Sequence, residues 1–541
     1  MEKNQMFCYQ CQETANGFGC TISGVCGKNA KTAALQDELT CEMISLAAVM
    51  QVKKTRLESE DNVNALELID LIVEGLYSCV TNVNFDGDEI KNMITEIKEK
   101  REKLGGRELT AQKDIFLDSS CDLLLKNEDV HSLRSTFLFG MRGMAAFAHH
   151  ARILRKREID VDFWFIKGMA ALSSEYSIDE WLDLLAELGI VNFKCLKMLD
   201  AANTDAFGNP EPAKVSLKIE KGSFIVVSGH DLRDIKLLLE QTEEKGVNVY
   251  THGEMLPAHA YPGIKKYRHL KGHFGTAWQN QQAEFTNIPA PVLFTANCLM
   301  PPKKNYSDNI YTTSVVRFPG LKHIESFSNN KKDFTPLIEH AIKLGGYDFD
   351  IHQTGMNGGS LMTTGYGRKA IIDNITLITN AVKAGEIKHI FLIGGCDGAR
   401  YERRYFTEFV KQTPNDTIVL ILACGKFRFN DIDAGLIRSC PRILDMGQCN
   451  DAYGAVAAAV ALAVNLDCFV NELPLTIILS WYEQKAVSVL LTLLSLGLKN
   501  IYIGPSVPAF FSKTVMDILT EKYEIKLIST PEDDLERIFK K

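Results

Sequence analysis

No run of apolar residues in this chain reaches the roughly 20 that a helix needs to cross a bilayer. The longest, Ala452–Val464 and Ala486–Leu498, stop short, so a membrane span is not expected. The opening Met1-Glu2-Lys3-Asn4-Gln5 lacks the apolar stretch of a signal peptide. A basic stripe is missing as well. With a net charge of −8 there is no surplus of lysine and arginine to neutralise phosphates, which argues against a nucleic-acid partner. A soluble, cytoplasmic protein is the expectation.

Cysteine, by contrast, is plentiful: 14 residues in 541, in a chain that is 46% hydrophobic. Without a secretion signal, these read as metal ligands, redox groups or buried thiols rather than disulfides. Cys79 shares the helical stripe Ala65, Leu68, Ile69, Ile72, Leu76 and reads as a small core hydrophobe. Cys41, Cys121, Cys195 and Cys468 also sit in apolar helical patterns, and Cys440 reads as structural.

The length suits three or four domains of about 150 residues each. Three regions are distinguishable. Residues 1–215 hold a cysteine motif and amphipathic helical stretches such as Val63–Val80, Glu89–Lys103 and Ser135–Leu154, which predict a helical bundle. The small, polar stretch Ala202–Pro212 is expected to break that pattern. Residues 216–355 and 356–541 alternate strand, turn and helix, which predicts two doubly wound, mainly parallel α/β domains. The Gly-rich stretch Gly355–Ser360 falls near the second boundary.

Cys8, Cys11, Cys20 and Cys26 follow C-x2-C-x8-C-x5-C, with glycines that let the backbone wrap one site. Structural zinc and an iron–sulfur cluster both accept four thiolates, and spacing leans only slightly toward the cluster. Seven further residues share another setting. His230, Glu254, Cys298, Cys396, Cys424, Cys449 and Glu483 each follow an apolar run with the length of a buried strand. Open α/β sheets gather ligands outside the carboxyl ends of their strands. Mixed sulfur, oxygen and nitrogen donors suit iron better than calcium, magnesium or a plain zinc site.

Asp397, Arg400, Asp445, Gln448, Asn450 and Asp451 crowd the same turns and are candidates for hydrogen bonds to the ligands. On an extended backbone, His252 would share a side with Glu254, so periodicity leaves His230 and His252 both open as the nitrogen ligand. The same i, i+2 relation puts Lys485 beside Glu483, where a desolvated ammonium can donate protons.

These residues lie in long ordered motifs. They include Met6-Phe7-Cys8-Tyr9-Gln10-Cys11-Gln12-Glu13-Thr14, Thr251-His252-Gly253-Glu254-Met255-Leu256-Pro257-Ala258-His259 and Trp278-Gln279-Asn280-Gln281-Gln282. Others are Gly394-Gly395-Cys396-Asp397-Gly398-Ala399-Arg400, Ala423-Cys424-Gly425-Lys426, Gly447-Gln448-Cys449-Asn450-Asp451-Ala452-Tyr453 and Leu479-Ser480-Trp481-Tyr482-Glu483-Gln484-Lys485. Over essentially its whole length the chain resembles the hybrid-cluster (prismane, hydroxylamine reductase) proteins.

That resemblance implies a 4Fe–4S cubane on Cys8, Cys11, Cys20 and Cys26, as in the anaerobe-type branch. It further implies a hybrid 4Fe–2O–2S cluster on His230, Glu254, Cys298, Cys396, Cys424, Cys449 and Glu483, with Lys485 beside it. It favours His230 over His252 and puts Cys396 where relatives carry a persulfide. His273 stands where the family leads one to expect asparagine. The implied activity is two-electron reduction of hydroxylamine to ammonia and water, with nitric oxide reduction to nitrous oxide as a further role and an external electron-donor protein as partner. Cys396, Glu483 and Lys485 are the expected catalytic groups.

Competing readings are a nickel-using, carbon monoxide dehydrogenase-like enzyme and a nitric-oxide-responsive sensor. A weaker one is a nucleotide site at Gly365-Tyr366-Gly367-Arg368-Lys369-Ala370, which fits G-x-G-x-x-A.

Overall fold

A computed structural model of the protein describes residues 6–53, 62–105, 127–327 and 331–540. Met1–Gln5 and Cys121 lie outside the described residues. After the N-terminal cysteine loop come helices Ala30–Val52, Asn62–Ser78, Gly87–Lys103, Glu128–Ile153, Ile159–Ala171 and Ile178–Phe207. Their starts are written in the sequence: Asn29 and Asp86 accept backbone N–H bonds as caps, and Ser177 with Glu180 forms a capping box.

Glu128–Ile153 packs against Ile178–Phe207, and both pack against Gln484–Ser495 from the far end of the chain. Gly143 makes the last contact close, since a Cβ there would strike the Gln484 carbonyl. Ile178–Phe207 runs through the stretch expected to be a loop; the break begins only at Gly208. Tertiary burial of Ala202, Asn203 and Phe207 outweighs the weak helix propensity of Asn, Thr and Asp there.

Two six-stranded, all-parallel sheets follow. The first has spatial order Leu270–His273, Asn248–His252, Phe224–Ser228, Val292–Phe294, Ile310–Thr313, Lys322–Ile324. The second runs Ile443–Asp445, Thr417–Leu422, His389–Gly395, Leu475–Ser480, Ile501–Gly504, Lys526–Leu527. Numbered in chain order within each sheet, both read 3-2-1-4-5-6, the doubly wound arrangement whose ligand crevice opens between strands 1 and 4. The two halves are therefore topological copies. Phe224–Ser228 in the first sheet and Thr417–Leu422 in the second are buried along their whole length, which explains their continuous apolar runs.

The stretch around 345–365 is tied back into the structure. Ile351–His352 and Leu361–Thr364 pair antiparallel with Lys218–Ile219 and Ala213–Ser216. The G-x-G-x-x-A stretch thus follows an antiparallel ribbon rather than a parallel strand, and its helix, Arg368–Asp373, has one and a half turns. It is not the turn of a dinucleotide fold.

A second expectation also changes. Cys449–Leu466, with the 3-10 turn ahead of Ala452, is long and apolar enough to cross a membrane by length and composition, unlike Ala452–Val464 alone. Half of it is buried inside the protein, against Ile178–Phe207 and the short helices 368–373 and 375–383.

A candidate multinuclear metal centre

The crevices of the two sheets face one another. From the first sheet, His230 and Cys298 follow the strands flanking the switch point, and Glu254 follows the second strand. From the second sheet, Cys396 and Glu483 flank the switch point, while Cys424 and Cys449 follow the second and third strands. All seven line one small cavity. Cys449 Sγ lies 3.3 Å from His230 Nε2, and His230 Nε2 lies 3.9 Å from Glu254 Oε2. Cys396 Sγ lies 3.9 Å from Glu483 Oε1, and the Cys298 and Cys424 thiols touch.

Sharp turns present these groups. Gly395 has φ +116°, and a Cβ there would collide with the Ser480 carbonyl, so only glycine lets Cys396 turn in from the strand end. Ala423 takes φ +69° just before Cys424, a strained conformation for a residue with a side chain.

The cavity is electrostatically frustrated as a set of protein groups alone. Burial pushes the Cys396 and Cys449 thiols well up, and the Cys424 thiol is raised first by its hydrogen bond with Cys298 and then by burial. Burial likewise raises the carboxyls of Glu254 and Glu483. It holds His230 neutral, the form in which imidazole binds metal, and the Lys485 charge reinforces this. His230 Nδ1 and Glu254 Oε1 are buried with no hydrogen-bond partner. Thiolates and carboxylates packed this tightly need compensating cations, and seven mixed donors are more than a single tetrahedral metal site takes. The residues present fit a multinuclear metal cluster.

His252 points elsewhere. Its Nδ1 meets Ser228 Oγ at 2.9 Å and its Nε2 meets Glu284 at 3.1 Å. The i, i+2 relation with Glu254 fails because the strand ends at His252 and Gly253 begins a 3-10 stretch. Lys485 does lie beside Glu483, with Nζ 3.8 Å from Oε1, but for a different reason from the one expected. Glu483 is the cap of helix Gln484–Ser495, and its Oε2 accepts the Lys485 backbone N–H at 2.8 Å. Lys485 Nζ also sits 3.2 Å from His230 Nε2. Burial works against its charge, but Cys449, Glu483, Tyr77 and Cys298 together hold the ammonium well above its ordinary range.

Around the cavity, Gln448 donates to the carbonyls of Glu254 (2.6 Å) and His230 (3.2 Å), and Asp451 and Asn450 in turn hold Gln448. Asp397 accepts from Arg428 at 2.9 Å and from Gln279 at 2.6 Å. Arg400 turns away to Thr14 and Glu13. The fully buried Lys426 went unassigned in the sequence: its Nζ donates to the Gly447 carbonyl (2.6 Å) and lies 3.0 Å from Asp445 and 3.7 Å from Glu254. Its position two residues past Cys424 was the available signal. His273 stacks on Phe427 and bonds Thr251, so it does not enter the cavity lining.

In the N-terminal loop, Cys8 and Cys20 form a reciprocal antiparallel pair, N to O at 3.1 and 2.8 Å. Burial raises the Cys11 and Cys26 thiols, and the other cysteines of the quartet raise them further. Lys28, buried nearby, points Nζ at Cys8 Sγ from 3.9 Å. Four mutually interacting thiols beside one buried cation again fit a metal centre. Cys41 and Cys195 are buried in helices and Cys79 is buried one residue past a helix end, whereas Cys440 and Cys468 are half-buried on a ribbon and past a helix end.

Fold and site together define an α/β metalloprotein whose centre is assembled from two equivalent sheet crevices. The chain belongs to the Prismane/CO dehydrogenase family, whose pattern covers residues 6–536. It is 46% identical to a hydroxylamine reductase of Thermodesulfovibrio yellowstonii, spanning 99% of this chain and all of that one. The hydroxylamine reductase of Syntrophobacter fumaroxidans is 45% identical, over 98% of this chain and all of that protein. Among solved structures, a nickel-free carbon monoxide dehydrogenase from Thermococcus sp. AM4 aligns with a TM-score of 0.56 at 20% identity, covering 98% of this chain and 90% of that one. Carbon monoxide dehydrogenase IV from Carboxydothermus hydrogenoformans aligns at 0.57 and 15%, covering 98% and 92%. At such identity these two establish a shared fold.

Proposed function

We propose that the protein is an iron–sulfur oxidoreductase that reduces hydroxylamine: NH2OH with two electrons and two protons gives NH3 and H2O, breaking the N–O bond. The observation that carries this reading is the convergence of four thiols, two carboxylates and one imidazole on a single cavity, in a chain nearly half identical to hydroxylamine reductases over its full length. Cys8, Cys11, Cys20 and Cys26 would hold a 4Fe–4S cluster; His230, Glu254, Cys298, Cys396, Cys424, Cys449 and Glu483 would hold a hybrid 4Fe–2O–2S cluster. Bound there, the clusters supply electron storage and a Lewis-acid iron for the N–O group.

The chain's own groups do the rest. Lys485 Nζ, packed against the cavity-lining His230, holds a proton for the leaving oxygen. Lys426 keeps Glu254 oriented and its charge balanced. Trp278 and Tyr482, in contact at 4.6 Å, wall off the cavity beside Cys396 and Cys424. Electrons come from an external donor protein, and a reducing, cytoplasmic setting belongs to this reading because the thiols must stay available.

A second substrate has its own support. An apolar cavity of about 70 Å³ between the second sheet and its helices reaches Cys396, Cys449 and Lys485. Such a lining suits a small uncharged molecule, and nitric oxide meets that description: two NO with two electrons and two protons give N2O and H2O.

The test is an anaerobic preparation assayed for iron, sulfide, nickel and zinc, and then for hydroxylamine-dependent oxidation of a chemical reductant. Iron and sulfide without nickel, with ammonia formed, is the expected result. Nickel in the protein, or iron with no turnover of either substrate, would overturn it in favour of a carbon monoxide dehydrogenase-like enzyme or a sensor.

A further inference from the structure

One side chain connects the two cysteine centres, and no motif in the sequence drew attention to it. Arg403 ends a 3-10 turn seven residues after Cys396, and it is wholly buried. Its Nη1 donates to the Cys396 carbonyl at 2.9 Å and to Ser480 Oγ at 2.7 Å. Its Nη2 donates to the Trp481 carbonyl at 2.6 Å and to Gln12 Oε1 at 3.1 Å. Ser480 Oγ in turn donates to the Cys396 carbonyl at 2.6 Å.

One planar fork thereby holds three segments: the loop of Cys396, the loop running to Glu483, and Gln12, which neighbours Cys11 and whose own N–H donates to the Tyr482 carbonyl at 2.9 Å. Only a guanidinium supplies enough donors in a fixed plane for this. The carboxylate nearest to it, Asp397 at 3.9 Å, is bound more closely by Arg428 at 2.9 Å. Arg403 thus sets a buried positive charge beside the Cys396 loop, with Asp397 and Glu13 as counter-charges.

We propose that Arg403, whose fork ties the N-terminal cysteine loop to the Cys396 loop, sets the electron equilibrium between the two centres through its fixed charge. This rests on both centres holding iron–sulfur clusters, as read above. In the step concerned, the N-terminal centre loses one electron and the cavity centre gains it. A fixed cation favours whichever centre it is nearer when that centre holds the extra electron. Arg403 touches Cys396 itself but reaches Cys11 only through Gln12, so it draws the electron toward the cavity.

The test uses the full chain, loaded anaerobically, with midpoint potentials of both centres read by EPR during titration with dithionite, alongside iron content. In Arg403→Gln the equilibrium is expected to move toward the N-terminal centre about tenfold, a change of about 59 mV in the potential difference for one electron. Arg403→Lys keeps the charge without the fork and is expected to stay within about threefold of the parent, under 30 mV by the same relation. An unchanged difference in iron-replete Arg403→Gln overturns the proposal, as does an equal shift in both variants. Loss of iron from both variants would make Arg403 a folding residue alone and overturns it too. A parental protein without two iron centres would instead defeat the cluster reading.

Discussion

Lys485 Nζ lies 3.2 Å from His230 Nε2, although 255 residues separate them. The first comes from the opening turn of a helix behind the second sheet, the second from a strand end of the first sheet. Their meeting puts the only nitrogen in the donor set beside a buried ammonium.

Removing that ammonium should show up in turnover rather than in assembly. Lys485→Met is expected to lower kcat by about 10²–10⁴-fold, the usual contribution of a positioned acid, with iron content retained. Parental kcat across pH in the variant would end the assignment.

The two cysteine sets should load independently, because they are built from separate segments. In Cys8→Ser/Cys11→Ser, the iron of the N-terminal centre should vanish while the spectrum of the cavity centre persists. Zinc lost at unchanged iron would identify the quartet as a structural zinc site.

Cys396 is held at a turn that only glycine permits, 3.9 Å from Glu483. Cys396→Ala is expected to abolish hydroxylamine reduction while the N-terminal centre and the far-UV spectrum remain. Reduction at the parental rate by an iron-replete variant would show that this sulfur is dispensable. If Cys396 carries an extra sulfur, mass spectrometry of the parental peptide should show a gain of one sulfur that cyanolysis removes.

Lys426 is fully buried between Asp445 and Glu254. Lys426→Met leaves both carboxylates without their cation. A loss of about 3–5 kcal/mol is expected, as for other broken buried pairs, read as a lower chemical-denaturation midpoint. An unchanged midpoint would mean that Lys426 contributes nothing to stability.

Burial pulls His259 and His389 down to about 4. In the unfolded chain both return to about 6.5. Between those values the unfolded state binds more protons, so the stability these residues contribute is complete above pH 6.5 and lost as pH falls toward 4. His389 packs on Phe391 and Phe539 and bonds Thr476 at 2.9 Å, away from both cysteine sets. His389→Asn should therefore lose less denaturation midpoint than the parent between pH 7 and pH 5. Parallel curves would show that His389 is not held neutral.

Much of this was legible in the residues. Continuous apolar runs ending in Cys, Glu or His mark buried parallel strands, because a strand covered on both faces has no reason to alternate. The central strands of both sheets were found this way. Leu270–His273, Ile310–Thr313 and Lys322–Ile324 were not, being short, carrying lysine, histidine and threonine, and lying toward the two edges of the sheet.

Local chemistry determined the strand ends, the caps and the compact N-terminal quartet, since each depends on neighbours within a few residues. What only the tertiary structure decided was which distant groups meet. Periodicity left His252 equal to His230 until a 3-10 turn sent His252 toward Glu284. It placed Lys485 by a strand rule that a helix cap replaced. It passed over Lys426 and Arg403, whose partners lie 7 to 391 residues away. Burial at such sites comes from packing two sheets and a helical bundle together, and a one-dimensional pattern carries no record of which surfaces will close on one another.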